Sequence, residues 1–229
     1  MGMSIDWLPF VLQTSDALFP TGSYAHSFGL EEFTRLSGVT DEAGLRDFLE
    51  LQILPAMALQ ELPYLRFAHG CAQRDDLSEL VALDHEVNAW KIAAELRSAS
   101  VRLGSRRLDI LLKTASTPLL VELARRVGAG EMAGHHLVVS GAQYARIPLE
   151  AAQMTYLYQT LSSYCVAALK VLRVGQEACQ RVLSGCLERV PGLLRESLSI
   201  ERSRAGCFNP LLEIASMRHA AAFERLFIS

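Results

Sequence analysis

Apolar residues recur at helical spacing through almost the whole of this 229-residue chain, and this pattern constrains its fold more than any other feature. The repeat is clearest between Pro148 and Leu172. Its apolar positions there are Met154, Leu157, Leu161, Cys165, Ala168 and Leu172. Steps of three and four residues place such side chains on one face of an α-helix. We therefore expect a fold in which helices pack against helices.

Similar patterns predict further helices along the chain. Their predicted ranges are 5–18, 24–36, 41–71, 76–112, 117–128 and 176–204. Pro55 and Pro63 are expected to kink the third of these helices, because proline removes a backbone donor. Pro191 and the glycine after it are expected to break the last helix. Asp76 is predicted to cap the fourth helix, with Glu79 as the second member of a capping box.

Nothing in the sequence divides the chain into separate domains. We find no Gly/Ser-rich linker, internal repeat or change of composition, and half of the residues are hydrophobic, which allows a sizeable core. Residues 136–139 have strand character, but the segment is short and we predict helix or loop there. The expected fold is a single all-α domain spanning 1–229, a bundle of roughly eight to ten helices.

Composition excludes several classes of function. The net charge is −3 with no polybasic block, so nucleic acid is not an expected partner. The apolar runs are too short or too often interrupted by charge to span a bilayer, and the N-terminus lacks a signal-peptide pattern, so we expect a cytoplasmic protein. Five cysteines, with no Cys-x-x-Cys pair, indicate neither a disulfide framework nor a structural zinc site.

Motifs of catalysis are also missing from the sequence. It contains no Gly-x-x-x-x-Gly-Lys-Ser/Thr loop and no Gly-x-Ser-x-Gly elbow. We therefore expect a protein that is not an enzyme and that binds no cofactor stably.

Residues 19–31 form the first marked motif, Phe-Pro-Thr-Gly-Ser-Tyr-Ala-His-Ser-Phe-Gly-Leu-Glu. A turn is expected at its start, followed by a helix that Ser23 caps. Gly29 inside that helix would cost about 1 kcal/mol relative to Ala, which indicates that something packs against the backbone there. Two interpretations remain open: a tight crossing of two helices, or a partner surface that carries Tyr24, His26 and Phe28.

The second marked motif is the C-terminal stretch, residues 209–219 and 225–229. It contains Ser216, Met217, His219 and Arg225, and it closes on an apolar cluster. Chain termini usually fray unless something holds them. A helix packed on its own core and a docking tail at about 210–229 are both consistent with this composition.

Two shorter segments complete the set of motifs. Residues 95–100 read Glu-Leu-Arg-Ser-Ala-Ser, and Glu95 and Arg97 are either solvated or separately partnered, because positions two apart do not face each other on a helix. Lys170 interrupts an apolar run shortly before Gln176. Its side chain either extends to solvent or meets a carboxylate or phosphate.

In order along the chain, these four segments resemble the signatures of the UreF-type urease accessory proteins. The family patterns are Leu-Pro-x-Gly-Gly-Phe/Tyr-Ser-x-Ser-x-Gly-Leu-Glu, Glu-x-Arg-x-Ala-Ser, Ala-x-x-Lys/Arg-x-x-Pro-x-Gly-Gln, and Ser-x-x-His followed by Ser/Ala-Arg-Leu-Phe-x-Ser. The chain departs from them at Phe19, Ser23 and Ala25, and at Arg173, which stands where the family usually has proline.

The resemblance implies a helical accessory protein of nickel-centre assembly. Such a protein is a homodimer, binds the scaffold accessory protein UreD (also called UreH), and recruits the GTPase UreG. The complex handles the nickel and delivers it to apo-urease. The resemblance assigns the GTPase side to Tyr24, His26, Phe28, Glu31, Lys170 and Gln176. It assigns the scaffold side to Ser216, Met217, His219, Arg225, Leu226 and Phe227.

Two other functions remain open on sequence grounds. One is a stand-alone nickel-binding metallochaperone, for which His26 and His219 are the candidate ligands, because imidazole suits nickel. The other is a helical enzyme with an unrecognised site.

Overall fold

A computed structural model of the chain describes residues 5–16, 18–36 and 38–229, and of Tyr24 it describes only the backbone. Its α-helices are α1 Leu8–Ser15, α2 Leu30–Leu36, α3 Glu42–Phe48, α4 Leu54–Ala56, α5 Leu62–Gln73, α6 Leu77–Trp90, α7 Ala94–Thr114, α8 Pro118–Gly128, α9 His136–Gln143, α10 Leu149–Val171, α11 Gln176–Ser199 and α12 Pro210–Ala221. Within these described ranges there is no β-strand. The predicted all-α bundle is confirmed.

Helices α3 to α5 form one continuous run over residues 42–73. Two π-helical segments, Leu49–Ile53 and Met57–Glu61, each come shortly before a proline. Pro55 and Pro63 lie in the first turns of α4 and α5. The wider π turns accommodate carbonyl groups that the prolines leave without a donor. Counted as one helix, this run gives ten α-helices in the described ranges.

The centre of the bundle is α5, which packs against α6, α9, α10 and α11. Small residues allow the closest of these approaches. A Cβ on Gly141 would lie 2.6 Å from the Cβ of Ala68, so only glycine fits where α9 crosses α5. A Cβ on Gly104 would overlap the Gly134 carbonyl group in the same way, which places the start of α9 directly on α7.

The helix predicted over 24–36 is wrong in its first half. Ser23–Ala25 forms a 3-10 turn with no side-chain cap, and His26 is extended. Phe28 and Gly29 then adopt φ values of 49° and 90°, so Gly29 lies in a left-handed turn before α2 and not inside a helix. Long-range contacts described below hold this conformation and override the local helical pattern.

The helix predicted over 76–112 divides into α6 and α7. Asp76 caps α6 as predicted, since its carboxylate accepts from the Glu79 N–H at 3.1 Å. The chain leaves the helix after Trp90, and the Ala93 N–H donates to the Glu213 carboxylate at 2.7 Å. A contact from α12 therefore stabilises a break that the local sequence does not signal.

Three further predictions can be compared with the structure. The break expected at Pro191 is wrong, because α11 continues to Ser199 and buries Val190 and Leu194 on either side of the proline. The segment 136–139 is helical, as predicted. The first helix begins at Leu8 and ends at Ser15, which makes it shorter than the predicted range 5–18. None of the described helices is both long and apolar enough to cross a bilayer.

Candidate functional site

The two terminal motifs, far apart in sequence, meet in space. The Ile228 N–H donates to the Ala25 carbonyl at 2.9 Å. The backbone N–H groups of Ser27 and Phe28 donate to the Ser229 carbonyl oxygen at 2.5 and 3.1 Å, and the Ser27 hydroxyl donates to the same oxygen at 2.9 Å. The tail, defined here as residues 209–229, is thus attached to the turn before α2.

His26 lies inside this junction. Its Nδ1 is 2.6 Å from the Ser229 hydroxyl, and its ring stacks on Phe28 with centroids 5.5 Å apart. Burial, together with the nearby positive charge of Arg102, lowers the pKa of His26 to about 4. The imidazole is therefore neutral at neutral pH and serves as a packed hydrogen-bonding group.

Glu31, in the first turn of α2, is the central acceptor of the junction. Its Oε1 accepts from the Leu226 N–H at 3.0 Å, and its Oε2 accepts from the Phe227 N–H at 3.1 Å. Burial by itself would raise the pKa of this carboxyl. The donors at Leu226, His219 and Phe227 outweigh that effect, and the pKa is lowered.

His219 of α12 bridges two acidic side chains and is fully buried. Its Nε2 lies 3.0 Å from Glu31 Oε2, and its Nδ1 lies 2.9 Å from Glu95 Oε2. Arg225 donates to the other oxygen of Glu95 at 3.2 Å. The Glu31–His219–Glu95 network therefore locks α12 onto α2 and α7.

The sequence left open whether Glu95 is solvated or has a partner, and the structure answers this question. Its carboxylate is partnered by the tail and is not solvated. Arg97, two residues on, faces elsewhere and donates to the Lys91 carbonyl at 2.9 Å. The motif that carries Glu95 was visible in the sequence, but its partners from the far end of the chain were not.

Arginines at the rim add weaker contacts to the same junction. Arg35 donates to Glu31 at 3.0 Å and to the Glu224 carbonyl at 2.6 Å, and Arg218 donates to Glu32 at 3.1 Å. These arginines are partly exposed, and exposed ion pairs stabilise by only about 0–1 kcal/mol. The buried network therefore accounts for most of the polar attachment of the tail.

The turn before α2 also contacts α12 through its glycine. A Cβ on Gly29 would lie 3.0 Å from the Cδ1 of Leu212. The close approach predicted from this glycine is therefore present, and the neighbouring element is the tail of the same chain.

The residues assigned to a GTPase side are unequally accessible. His26 and Glu31 are buried, Phe28 is half-buried, and Lys170 and Gln176 are exposed. The side chain of Tyr24 lies outside the described part of the structure.

The residues assigned to a scaffold side divide in the same way. Ser216, His219 and Phe227 are buried, whereas Met217, Arg225 and Leu226 are exposed. Lys170 Nζ stands 5.1 Å from the centroid of the Phe227 ring. His26, Phe28, Glu31 and Lys170 of the first set therefore contact the tail that carries the second set, which sequence reasoning did not anticipate.

The outer surface of the tail is strongly apolar. Three side chains at helical spacing on α12, Leu211, Ile214 and Met217, are 57%, 52% and 48% exposed. Large apolar residues before and after them are also exposed: Phe208, Phe223, Leu226 and Ile228. Contiguous apolar patches on a protein surface mark interaction sites.

The two histidines considered as metal ligands, His26 and His219, already make hydrogen bonds to other side chains. His26 Nδ1 faces a hydroxyl, and both nitrogens of His219 face carboxylates. In the described ranges, no three His, Cys, Asp or Glu side chains are grouped in a way that could hold a metal ion.

Comparison with known proteins identifies the family. The family model described as UreF matches residues 39–187. The chain is 30% identical over 219 residues to the urease accessory protein UreF of Arthrobacter sp. (strain FB24), covering 95% of each chain. It is 29% identical over 231 residues to the UreF of Corynebacterium glutamicum (strain R), covering 100% of each. It is 28% identical over 221 residues to the UreF of Bacillus sp. (strain TB-90), covering 96% of this chain and 97% of the relative.

The family match covers more than half of the chain, and the relatives align over nearly all of it, the Corynebacterium glutamicum protein over its whole length. The chain therefore belongs to the UreF family of urease accessory proteins, and it is an accessory protein and not an enzyme.

Proposed function

We propose that this protein is a helical adaptor that binds the UreD/UreH scaffold protein and recruits and regulates the GTPase UreG. GTP hydrolysis is thereby coupled to insertion of nickel into apo-urease. The observation that carries this proposal is the tail, which is fixed to the bundle by buried polar contacts yet presents a row of large apolar side chains outward. A fixed apolar helix face is preorganised for a partner.

The scaffold surface is proposed to be the outer face of the tail. Met217 and Leu226 are the exposed apolar members of the predicted set, and Leu211 and Ile214 extend their surface along α12. Ser216, His219 and Phe227 contribute indirectly, because they hold the tail on the bundle. An amphipathic helix with such anchors suits insertion into an apolar groove of the scaffold.

The GTPase surface is proposed to lie beside the tail, at the C-terminal end of α10 and the start of α11. Lys170 and Gln176 are exposed there. Lys170 also contacts the Phe227 ring, which belongs to the tail. A partner bound at Lys170 and a partner bound on the tail would therefore share a structural support.

Shared support gives a physical route to coupling. A nucleotide switch is regulated by an adaptor only if the adaptor binds its states with different affinity. Displacement of the tail would change the surroundings of both Lys170 and the α12 face. We propose that the adaptor is a cytoplasmic homodimer, that nickel is the cargo of the whole complex, and that this chain holds no metal stably.

Stepwise assembly tests the proposal. The chain is mixed with the host's scaffold protein, and then with the GTPase, nickel and a non-hydrolysable GTP analogue. Masses are read by size-exclusion chromatography with light scattering. A binary and then a ternary complex are expected, and a folded chain that binds neither protein would refute the adaptor function.

Two variants separate the surfaces. Lys170→Ala, near the end of α10, should weaken recruitment of the GTPase while leaving the scaffold complex intact. The control is Gln180→Ala, at an exposed position on α11. Normal recruitment by the Lys170 variant would place the GTPase surface elsewhere.

Equilibrium dialysis with nickel tests the metallochaperone alternative, which tight stoichiometric binding by the isolated chain would favour.

A further inference from the structure

A cavity of about 450 Å³ lies between α7, α10 and the segment that joins α1 to α2. This volume is typical of small-molecule sites. Its walls are mainly apolar and aromatic, and they include Phe19, Phe28, Ile53, Met57, Leu103 and Tyr164. The cavity is separate from the outer face of α12, so its role goes beyond the proposed adaptor function.

Arg107 supplies a buried positive charge to this cavity. The side chain is 2% exposed, its Nε donates to Gln143 Oε1, and its Nη2 donates to the Tyr144 hydroxyl at 2.8 Å. Both acceptors are neutral. In the described ranges, no carboxylate lies within ion-pair distance of this guanidinium. A buried charge without a counter-ion is costly, which favours an anion beside it.

The other charged groups of the cavity do not neutralise Arg107. Glu61 is bound to Lys91 at 3.4 Å and accepts from the Tyr156 hydroxyl at 3.0 Å. Asp16 lies at the exposed rim, where it accepts from the Leu18 N–H at 2.7 Å. The interior therefore keeps one unbalanced positive charge.

Polar atoms around this charge have no partner in the described ranges. The buried Oε1 of Gln159, in the cavity wall, has none, and His136 and Tyr164 also line the cavity. Burial, with the charges of Arg107 and Lys91, lowers the pKa of His136 to about 3, so its ring is neutral. Hydrogen-bonding groups are thus available to orient a ligand without competing for the anion.

We propose that this cavity binds a small organic acid, with the carboxylate on Arg107 and an apolar body against the aromatic walls. Nη1 of Arg107 has no partner in the described ranges, and Nη2 keeps a second proton. Together they form the fork that binds both oxygens of a carboxylate. The apolar wall of Phe28 and Leu103 suits a ring or a short hydrocarbon chain.

Titration calorimetry on the full chain tests the chemistry, with benzoate as the probe. Benzamide has the same shape without the charge, and acetate and bicarbonate lack the apolar body. Benzoate should bind one-to-one and at least about tenfold more tightly than benzamide, as expected for a hydrogen bond to a charged group. It should also bind at least about tenfold more tightly than acetate and bicarbonate, because burial of its ring adds about 25 cal/mol per Å² of apolar area. No saturable benzoate binding at millimolar concentration, or equal affinity for benzamide, would overturn the proposal. Bicarbonate binding as tightly as benzoate would overturn the role given to the apolar walls.

Methyl NMR of [13C-methyl]-methionine protein tests the place. Met57 lines the cavity, whereas Met217 is exposed on α12 and serves as the internal control. Benzoate should shift the Met57 signal and leave that of Met217 unchanged, and the reverse pattern would refute the site. Arg107→Met should weaken benzoate binding about tenfold or more while keeping the helical circular dichroism. The Met57 signal of the unsubstituted chain decides the question if that variant fails to fold.

Discussion

Glu31 is the residue on which attachment of the tail depends most. One carboxylate meets the N–H groups of Leu226 and Phe227 and the ring of His219. Most apolar side chains of the tail point outward, so burial of apolar area contributes little to holding it. Directional buried hydrogen bonds instead fix its position.

Removal of this carboxylate should release the tail. Glu31→Ala leaves Nε2 of His219 and two backbone donors without their acceptor, and removing one partner of a buried charged network costs about 3–5 kcal/mol. Hydrogen exchange should become fast over residues 210–229 and remain slow in α5. Glu122→Ala, which removes an ion pair on the surface of α8, is the control and should leave exchange in the tail unchanged. Unaltered protection of the tail in the Glu31 variant would contradict this account.

Gly29 is expected to stabilise the fold in two ways, through its positive φ and through its close approach to Leu212. Gly22 shares only the first property and therefore serves as the control. Gly29 and Gly22 both have positive φ, 90° and 84°, but only a Cβ on Gly29 would contact Leu212. Each substitution to alanine should lower the free energy of unfolding by about 1–2 kcal/mol through the left-handed backbone. Gly29→Ala should in addition increase proteolysis of the tail. Equal sensitivity of the two variants to protease would show that this contact is unimportant.

At the scale of elements, the local sequence correctly predicted the helices that form because of their own regular apolar spacing. α10 begins and ends within one residue of the predicted range 148–172 because its spacing is regular. The range 24–36 failed because Ile228 and Ser229, at the far end of the chain, hydrogen-bond to Ala25, Ser27 and Phe28 and hold the turn. At Pro191 a break was predicted and the helix continues, because burial of α11 outweighs the one hydrogen bond that the proline removes.

The candidate site was predictable in its parts and not in its assembly. The motifs around Glu31, Glu95, Lys170 and His219 were all visible in the sequence, with their residue types. No local rule states that His219 bridges Glu31 and Glu95, because each contact joins residues more than a hundred positions apart. Arg107 escaped notice because a single arginine in a helix is normally solvated, and only the fold shows that it is buried.

At the scale of the whole molecule, buried neutral histidines should make the fold sensitive to acid. Burial lowers the pKa of His26 and His135 to about 4 and that of His136 to about 3. Between these values and the unfolded value of about 6.5, the unfolded chain binds more protons than the folded chain. Stability should therefore be complete above about pH 6.5 and fall as the pH decreases toward 4.

Urea unfolding at a series of pH values checks this dependence. The free energy of unfolding should fall by more than about 1 kcal/mol per pH unit near pH 5, because several histidines contribute. His26→Gln should reduce the slope by the share of one proton. A flat profile between pH 7 and 5 would contradict neutral burial of these rings. Below about pH 4.5, loss of the lowered-pKa carboxylate of Glu31 should add a further decline.

The whole bundle can be regarded as a rigid support for the outer face of the tail. The affinity of matched variants for the scaffold protein is the measurement that tests this view most directly. Ile214 on α12 and Val121 on α8 are equally exposed, at 52% and 53%. Ile214→Asp should weaken scaffold binding by about 2 kcal/mol or more, roughly thirtyfold, whereas Val121→Asp should leave it unchanged. Equal affinities of the two folded variants would show that the tail is not the docking surface.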